Sequence, residues 1–448
     1  MTEPSRSDRI VIDALFSGYT FPNFLAPIQR RAEEFERLHP EYKINVGSHY
    51  FQNLAEEISK ATLAGRPPTM ASYYSGASQL ARDTLTADGR PLYTSVEKAI
   101  GGRAEILGHP VVLDDIVAAG RHFYTIDGTF AALPVTLSTM HMYTNTTLLR
   151  AAGIDEVPRT WQEIERACAA VAALPGGPPH AISWANDGKF FQQALAHQGA
   201  LLVDQDNGRT GRATKIDLRS PEMMAYVMWW YRLFRDGHYL HTGKLEDWAG
   251  SSQAFAEQRV VFRFSSSFES PYMVKAGREN GFEVAVTPTP HNGDVPFAGN
   301  WIGGDAMWLA DGLDEATRDG ALAFMQYLNS PRNAAEWHKV YGSAPVTGAA
   351  AALLEREGWY DEHPYHRVAT EQLDLTTGAP GAQAAVLGHF AQIQHEMMFA
   401  LEDMMARGAD PAERWERAAV AAEALLEDYG ASCTGPGPRA AHCLLIDS

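Results

Sequence analysis

The first 74 residues alternate short apolar runs with amphipathic ones, and that order limits the folds open to the chain. Arg9 to Phe16 alternates loosely between apolar and polar positions, as a strand does. Phe24, Leu25, Ile28, Phe35 and Leu38 then fall on one helical face, and Pro40 blocks continuation past His39. YKINVGSHY (42–50) reads as a second strand, QNLAEEISKATLAG (52–65) as a helix closed by glycine, and TMASYY (69–74) as a third strand. Strand and helix in strict alternation call for an α/β fold, with a parallel or mixed sheet covered by helices.

Further along, Thr160 and Glu163 have the spacing of a capping box, which starts a helix at Trp161. In SPEMMAYVMWWYRLFRDG (220–237), Ser220 is the N-cap, Pro221 the first helical residue and Gly237 the terminator. Trp229, Trp230 and Tyr231 could form a stacking platform, but at helical spacing at least one of them must face the core, with Trp229 or Trp230 favoured. QRVVFRFSSS (258–267) reads as a strand, and NWIGGDAMWLADG (300–312) as a strand entered through two glycines. Residues 314–331 and 411–430 are amphipathic helices, and 431–448 read as a flexible tail rich in Gly, Pro and Ala. A length of 448 residues favours two domains.

The net charge of −18 repels phosphate, so neither nucleic acid nor an anionic membrane is an expected partner. No stretch approaches the ~20 apolar residues of a membrane span. IVIDALF is too short for a signal peptide and carries Asp13, and no lipoprotein cysteine follows. As written, the chain reads as cytoplasmic, or as extracytoplasmic if an export signal has been removed. Cys168 reads as a buried hydrophobe, whereas Cys433 and Cys443 either pair or stand as free thiols on the tail. His395-Glu396 begins like a zinc-protease motif, but Phe399 stands where the second histidine belongs. No metal or cofactor is expected. Neither the Gly-x-Ser-x-Gly elbow nor the Gly-x-Gly-x-x-Gly fingerprint is present.

Several stretches together carry a family resemblance: HPEYKI with YFQNL (39–53), ALPVTLSTMHMYTN (132–145), VPRTWQEI (157–164), IGGDAMWL (302–309), SPRNAAEWHKVYGSAPVT (330–347) and LLEREGWYDEHP (353–364). From about Ile10 to Tyr429 the chain resembles the extracellular solute-binding proteins of ABC importers, of the carbohydrate-type family 1. It is most similar to the glycerol-3-phosphate and glycerophosphodiester-binding group. The resemblance implies a two-lobed periplasmic-binding-protein-like fold of type II, with a ligand cleft between lobes joined by crossing strands near 138–145, 301–306 and 343–348. It implies lobe 1 at 1–140 and 305–344, and lobe 2 at 141–304 and 345–430. It also implies a monomer that takes a small molecule and works with an ABC permease.

The family's ligand contacts map onto Tyr50, Ser138, Trp184, Ser266 and Gly304. Trp301 joins them because it precedes the glycine pair on a hinge strand. Three positions depart from the family pattern. Tyr74 stands where the family has an acidic residue. Ser343 stands where it has tyrosine, with Tyr341 two residues earlier as a substitute. Gln394 stands where it has the arginine that grips phosphate. A charge-assisted hydrogen bond contributes about 1.5–3 kcal/mol, so glycerol-3-phosphate should bind poorly unless Arg263, Lys189 or His395 replaces that cation. Arg263 otherwise reads as a solvated strand-face residue. The expected function is capture of a polyol, sugar or glycerophosphodiester-like molecule. The alternative is a cytoplasmic enzyme on the same fold, a cyclase, isomerase or hydrolase, with Tyr74, Asp305, Glu269 and His395 as its acid, base or orienting groups.

Overall fold

The computed structural model describes residues 9–19, 25–51 and 53–434. The Ile10–Gly18 strand buries Ile12, Ala14 and Phe16 and exposes Val11, the two-residue period of a strand with one face on a core. It pairs in parallel with Tyr42–Tyr50 over its full length, and with Met70–Tyr74 through Ala14 and Leu15. Between the first two strands, the Ala26–Leu38 helix covers the sheet with Ile28, Ala32 and Phe35 and ends before Pro40. Leu38 leaves that face as the helix's last residue and is exposed, whereas Phe24 lies outside the described residues.

Asp305–Ala310 returns from far along the chain to pair antiparallel with Met70–Tyr74, and also with Tyr93–Thr94 and Leu133–Pro134. A second sheet runs in the order Ile182–Ser183, Phe262–Ser266, Met140–Asn145, Val284–Pro288. The chain therefore passes from the first sheet to the second between residues 134 and 140, and back between 288 and 305. Bridges from Leu137 to Ala344 and from Ser138 to Gly303 hold three connecting segments side by side. Only glycine fits at Gly304, whose φ is +100° and where a Cβ would lie 2.2 Å from the Thr136 carbonyl oxygen.

Helix ends follow the local chemistry. Thr160 and Glu163 make both bonds of a capping box ahead of Trp161–Ala172. Ser220 accepts from the Met223 amide at the start of Pro221–Arg235, and Gly237 turns the chain with φ +78°. Trp229 and Trp230 both face inward: Trp229 stacks between Trp161 and Trp184, and Trp230 packs on Trp184 and Phe191. The strand expected at 258–267 begins only at Phe262, because Gln258 adopts a left-handed turn closing the Trp248–Ala256 helix.

The flexible tail expected from residue 431 needs a correction. The Pro411–Thr434 helix continues through its first four residues, anchored where the Tyr429 hydroxyl donates to Asp83 at 2.9 Å and Cys433 is buried. Cys443 and residues 435–448 lie outside the described residues. Among the described residues, no helix is long and apolar enough to cross a membrane.

Candidate functional site

The three parallel strands of the first sheet all end at one place. Tyr19 follows the first, Tyr50 closes the second, and Tyr74 closes the third. Across from them stand Met140 and Ser266, paired ends of two strands of the second sheet. Ser138, Trp301 and Gly304 come from the connecting segments. These residues line a cavity of about 370 Å³, a size suited to a small ligand and set beyond the carboxyl ends of parallel strands. Two roomier hollows, of about 450 and 710 Å³, lie elsewhere, and neither gathers residues from both sheets.

One wall is aromatic. The Phe51 ring lies 4.8 Å from Tyr50 and 5.2 Å from Tyr74, with Tyr19 stacked behind at 5.1 Å. The alternation of a strand turns Tyr73 the other way, where its hydroxyl meets that of Tyr93 at 3.1 Å. The Tyr19 hydroxyl donates to Asp305 Oδ2 at 2.6 Å. Burial pushes the Asp305 carboxyl up to about 6, with the Tyr19 hydroxyl pulling it back. Burial likewise raises Tyr74, helped by Asp187, Glu246 and Asp305.

The opposite wall carries charge. Asp187 accepts from the Lys189 amide at 2.8 Å and from its Nζ at 3.1 Å, at the start of the Lys189–His197 helix. Burial opposes the charge on Lys189, but Asp187, Glu246 and Tyr50 outweigh it and raise its pKa. Its Nζ sits 5.5 Å from the Trp248 ring centre. Glu269 pairs with Arg263 at 2.8 Å and accepts from the Ser265 hydroxyl. Glu246 is raised by burial and by Asp187, against the pull of Lys189 and His395.

Of the ten site residues expected from sequence, the cavity brings together Tyr50, Tyr74, Ser138, Ser266, Trp301 and Gly304. Trp184 stands apart from it, 1% exposed and packed 4.6–4.7 Å from Phe264, Trp230 and Tyr239 in the core of the second sheet. Tyr341 packs on Trp337, and the Ser343 carbonyl accepts from His338 Nδ1 at 2.6 Å, so neither lines the cavity. Gln394 is buried in the Phe390–Ala406 helix and lies across Gly188, beside Asp187 and Lys189 but outside the lining. Arg263 is not a solvated strand-face residue. It is fully buried, because Glu269, the Ser251 hydroxyl and the Trp248 carbonyl enclose its guanidinium.

Asp187, Glu246, Trp248 and Phe268 escaped the sequence reading. Asp187 and Glu246 sit in turns ahead of helices, Trp248 is the first residue of its helix and Phe268 lies in a single 3-10 turn, places that no periodic pattern marks. The available signal was Asp247, which caps the Trp248–Ala256 helix by accepting from the Gly250 amide at 2.9 Å.

Two α/β sheets, three adjacent connections and a cavity between opposing strand ends define a two-lobed ligand-binding protein. The chain belongs to the bacterial extracellular solute-binding protein family, whose model matches residues 30–366. The sn-glycerol-3-phosphate-binding periplasmic protein UgpB of Salmonella typhimurium is 25% identical over 405 residues, covering 89% of each chain. The cyclic alpha-maltosyl-1,6-maltose binding protein of Arthrobacter globiformis superposes with a TM-score of 0.73 at 18% identity, covering 94% of this chain and 100% of that one. UgpB of Mycobacterium tuberculosis, solved in complex with glycerophosphocholine, gives 0.70 at 19% identity, covering 94% and 99%.

Proposed function

We propose that this protein captures a sugar, a polyol or a glycerophosphodiester-type solute in the interlobe cleft and delivers it to an ABC permease. The observation that carries the reading is the lining itself, with aromatic faces on one side and Ser75, Ser138 and Ser266 among the polar groups. Aromatic faces suit the apolar side of a sugar or polyol, and hydroxyls suit its polar edge. Relatives named for glycerol-3-phosphate and for maltose-type sugars support the same ligand range.

In this reading lobe 1 comprises 1–140 and 305–344, and lobe 2 comprises 141–304 and 345–430. The lobes close on the ligand about the three connections, and Tyr50, Tyr74, Ser138, Ser266, Trp301 and Gly304 make the contacts. The protein works as a monomer outside the cytoplasmic membrane. Gln394 leaves the site without a phosphate-gripping guanidinium. Lys189, the cation of the lining, is held by Asp187, and Arg263 behind the lining is held by Glu269, so a phosphate dianion finds no uncommitted cation among these described residues.

Titration calorimetry tests this with glycerol-3-phosphate, glycerophosphocholine and neutral mono- and disaccharides, using wild type, Tyr50→Ala and Tyr74→Ala. The reading expects micromolar or tighter binding of a sugar or diester, weakened at least about tenfold in each variant. Silence across the panel, or binding that ignores both variants, overturns it. Glycerol-3-phosphate as the tightest ligand overturns the role given to Gln394.

A further inference from the structure

Three carboxylates line the cleft, and two of them are matched. Glu269 has Arg263 at 2.8 Å. Asp187 has the Lys189 ammonium at 3.1 Å and the Lys189 amide at 2.8 Å. Glu246 has neither an ion pair nor a side-chain hydrogen bond among the described residues, although it faces the cavity. The titratable groups that interact with it are Asp187, Lys189, His395, Tyr50 and Tyr74. Lys189 is paired with Asp187 and reaches Glu246 only through its field, so the three lining carboxylates outnumber the two cations paired with them by one.

The backbone holds Glu246 there deliberately. Its φ of +50° is left-handed, a region that non-glycine residues seldom occupy. Its amide donates to the Asn186 carbonyl at 3.0 Å, and its own carbonyl accepts from the Trp248 amide at 2.8 Å. That turn is tied to the segment bearing Asp187 and places Glu246 on the wall of the cavity that the half-exposed Tyr50 also lines. Lys189 already covers Trp248, which leaves the Tyr50, Phe51 and Tyr74 rings for another cation. A desolvated carboxylate beside aromatic faces is a setting in which an ammonium group gains from both.

We propose that Glu246 anchors a positively charged group of the ligand, so that the solute is a cation or a zwitterion bearing an ammonium. The proposal rests on the reading of the cleft as a solute site and names the ligand chemistry within it. Primary ammonium on an amino sugar and quaternary ammonium on a phosphodiester share that chemistry.

Two matched pairs separate the sources in calorimetric titrations of the full chain. One pair is glucosamine against glucose. The other is glycerophosphocholine against its 3,3-dimethylbutyl analogue, in which carbon replaces the charged nitrogen. Wild type should prefer the cationic member of at least one pair by about tenfold or more, and raised salt should weaken that preference. Glu246→Gln should bring the ratio to about one, whereas Glu246→Asp, which keeps the charge, should retain part of it. Thermal unfolding of both variants checks that they fold. If both members of each pair bind equally in wild type, the inference falls while the solute-binding reading stands; Glu246 is then an acceptor for hydroxyls. A preference that survives Glu246→Gln also overturns it, since another group then carries the charge. Silence from all four probes and from the neutral sugars overturns both the inference and the reading beneath it.

Discussion

At the scale of single residues, Trp184 and Tyr50 separate packing from recognition. Trp184 is enclosed by Trp229, Trp230, Tyr239 and Phe264, so its loss should act on stability. Trp184→Ala should cost about 3–5 kcal/mol, the range for a large aromatic removed from a core, read as a shift in denaturant midpoint. Tyr50 is 43% exposed on the cavity wall, and Tyr50→Ala should leave the midpoint nearly unmoved while weakening ligand binding. A stable Trp184→Ala, or an unfolded Tyr50→Ala, would reverse these assignments. Both residues were drawn from the same family pattern, yet only Tyr50 reaches the cavity. Sequence similarity identifies a chemical type more readily than the direction in which a side chain points. Arg263 makes the same point: its strand alternation is plain, but Glu269, six residues on, decides that it is buried and paired.

Among the elements, those built from local chemistry were legible. The capping box at Thr160, the Ser220-Pro221 start and the turn at Gly237 each depend on residues within a few positions of one another. Pairing between Asp305–Ala310 and Met70–Tyr74 spans more than two hundred residues, and no local period announces it. The glycine pair at 303–304 was legible as an entry to that strand, though its reason is tertiary. Gly304 sits against the Thr136 carbonyl with a left-handed φ. Gly304→Ala should therefore cost at least about 2 kcal/mol from strain and overlap at the connection between the sheets. Calorimetry of unfolding measures the cost, and an unchanged Tm would show that the connection relaxes freely. The site's charged turns were the least legible part, since the left-handed backbone at Glu246 has no glycine or asparagine to mark it.

For the molecule as a whole, the two-lobed α/β architecture followed from the opening alternation together with the family pattern, whereas contacts between distant parts of the chain did not. Asp83, buried beside the first sheet, takes bonds from Gln79, Arg212 and Tyr429, and the last two lie far along the chain. Four buried histidines also set a global response to acid. Burial pushes His141, His197 and His366 down to about 3, and His338 to about 4. Unfolding lets each take a proton near its ordinary value of about 6.5, so the unfolded state binds more protons and stability falls as pH drops below that point. Each histidine contributes roughly 1.4 kcal/mol per pH unit in that window. Asp305 opposes them between about 4 and 6, because its folded carboxyl is raised and holds a proton that the unfolded chain releases. Glu246 and Asp374, raised by burial, act in the same sense as Asp305, but the four histidines, joined by His109 and His291 which burial also lowers, outnumber these carboxyls. Tm should therefore fall from pH 6.5 to 4.5; a flat profile would contradict the burial of these rings as neutral groups.

The central claim is that the cavity between the two sheets is where the solute binds. A crystal structure of the protein grown with the tightest ligand from the calorimetric panel tests it most directly. The account predicts ligand density packed on Tyr50 and Tyr74, within hydrogen-bond reach of Ser138 and Ser266. An empty cleft with density elsewhere, such as the surface hollow around Asn45 and Lys60, would contradict it.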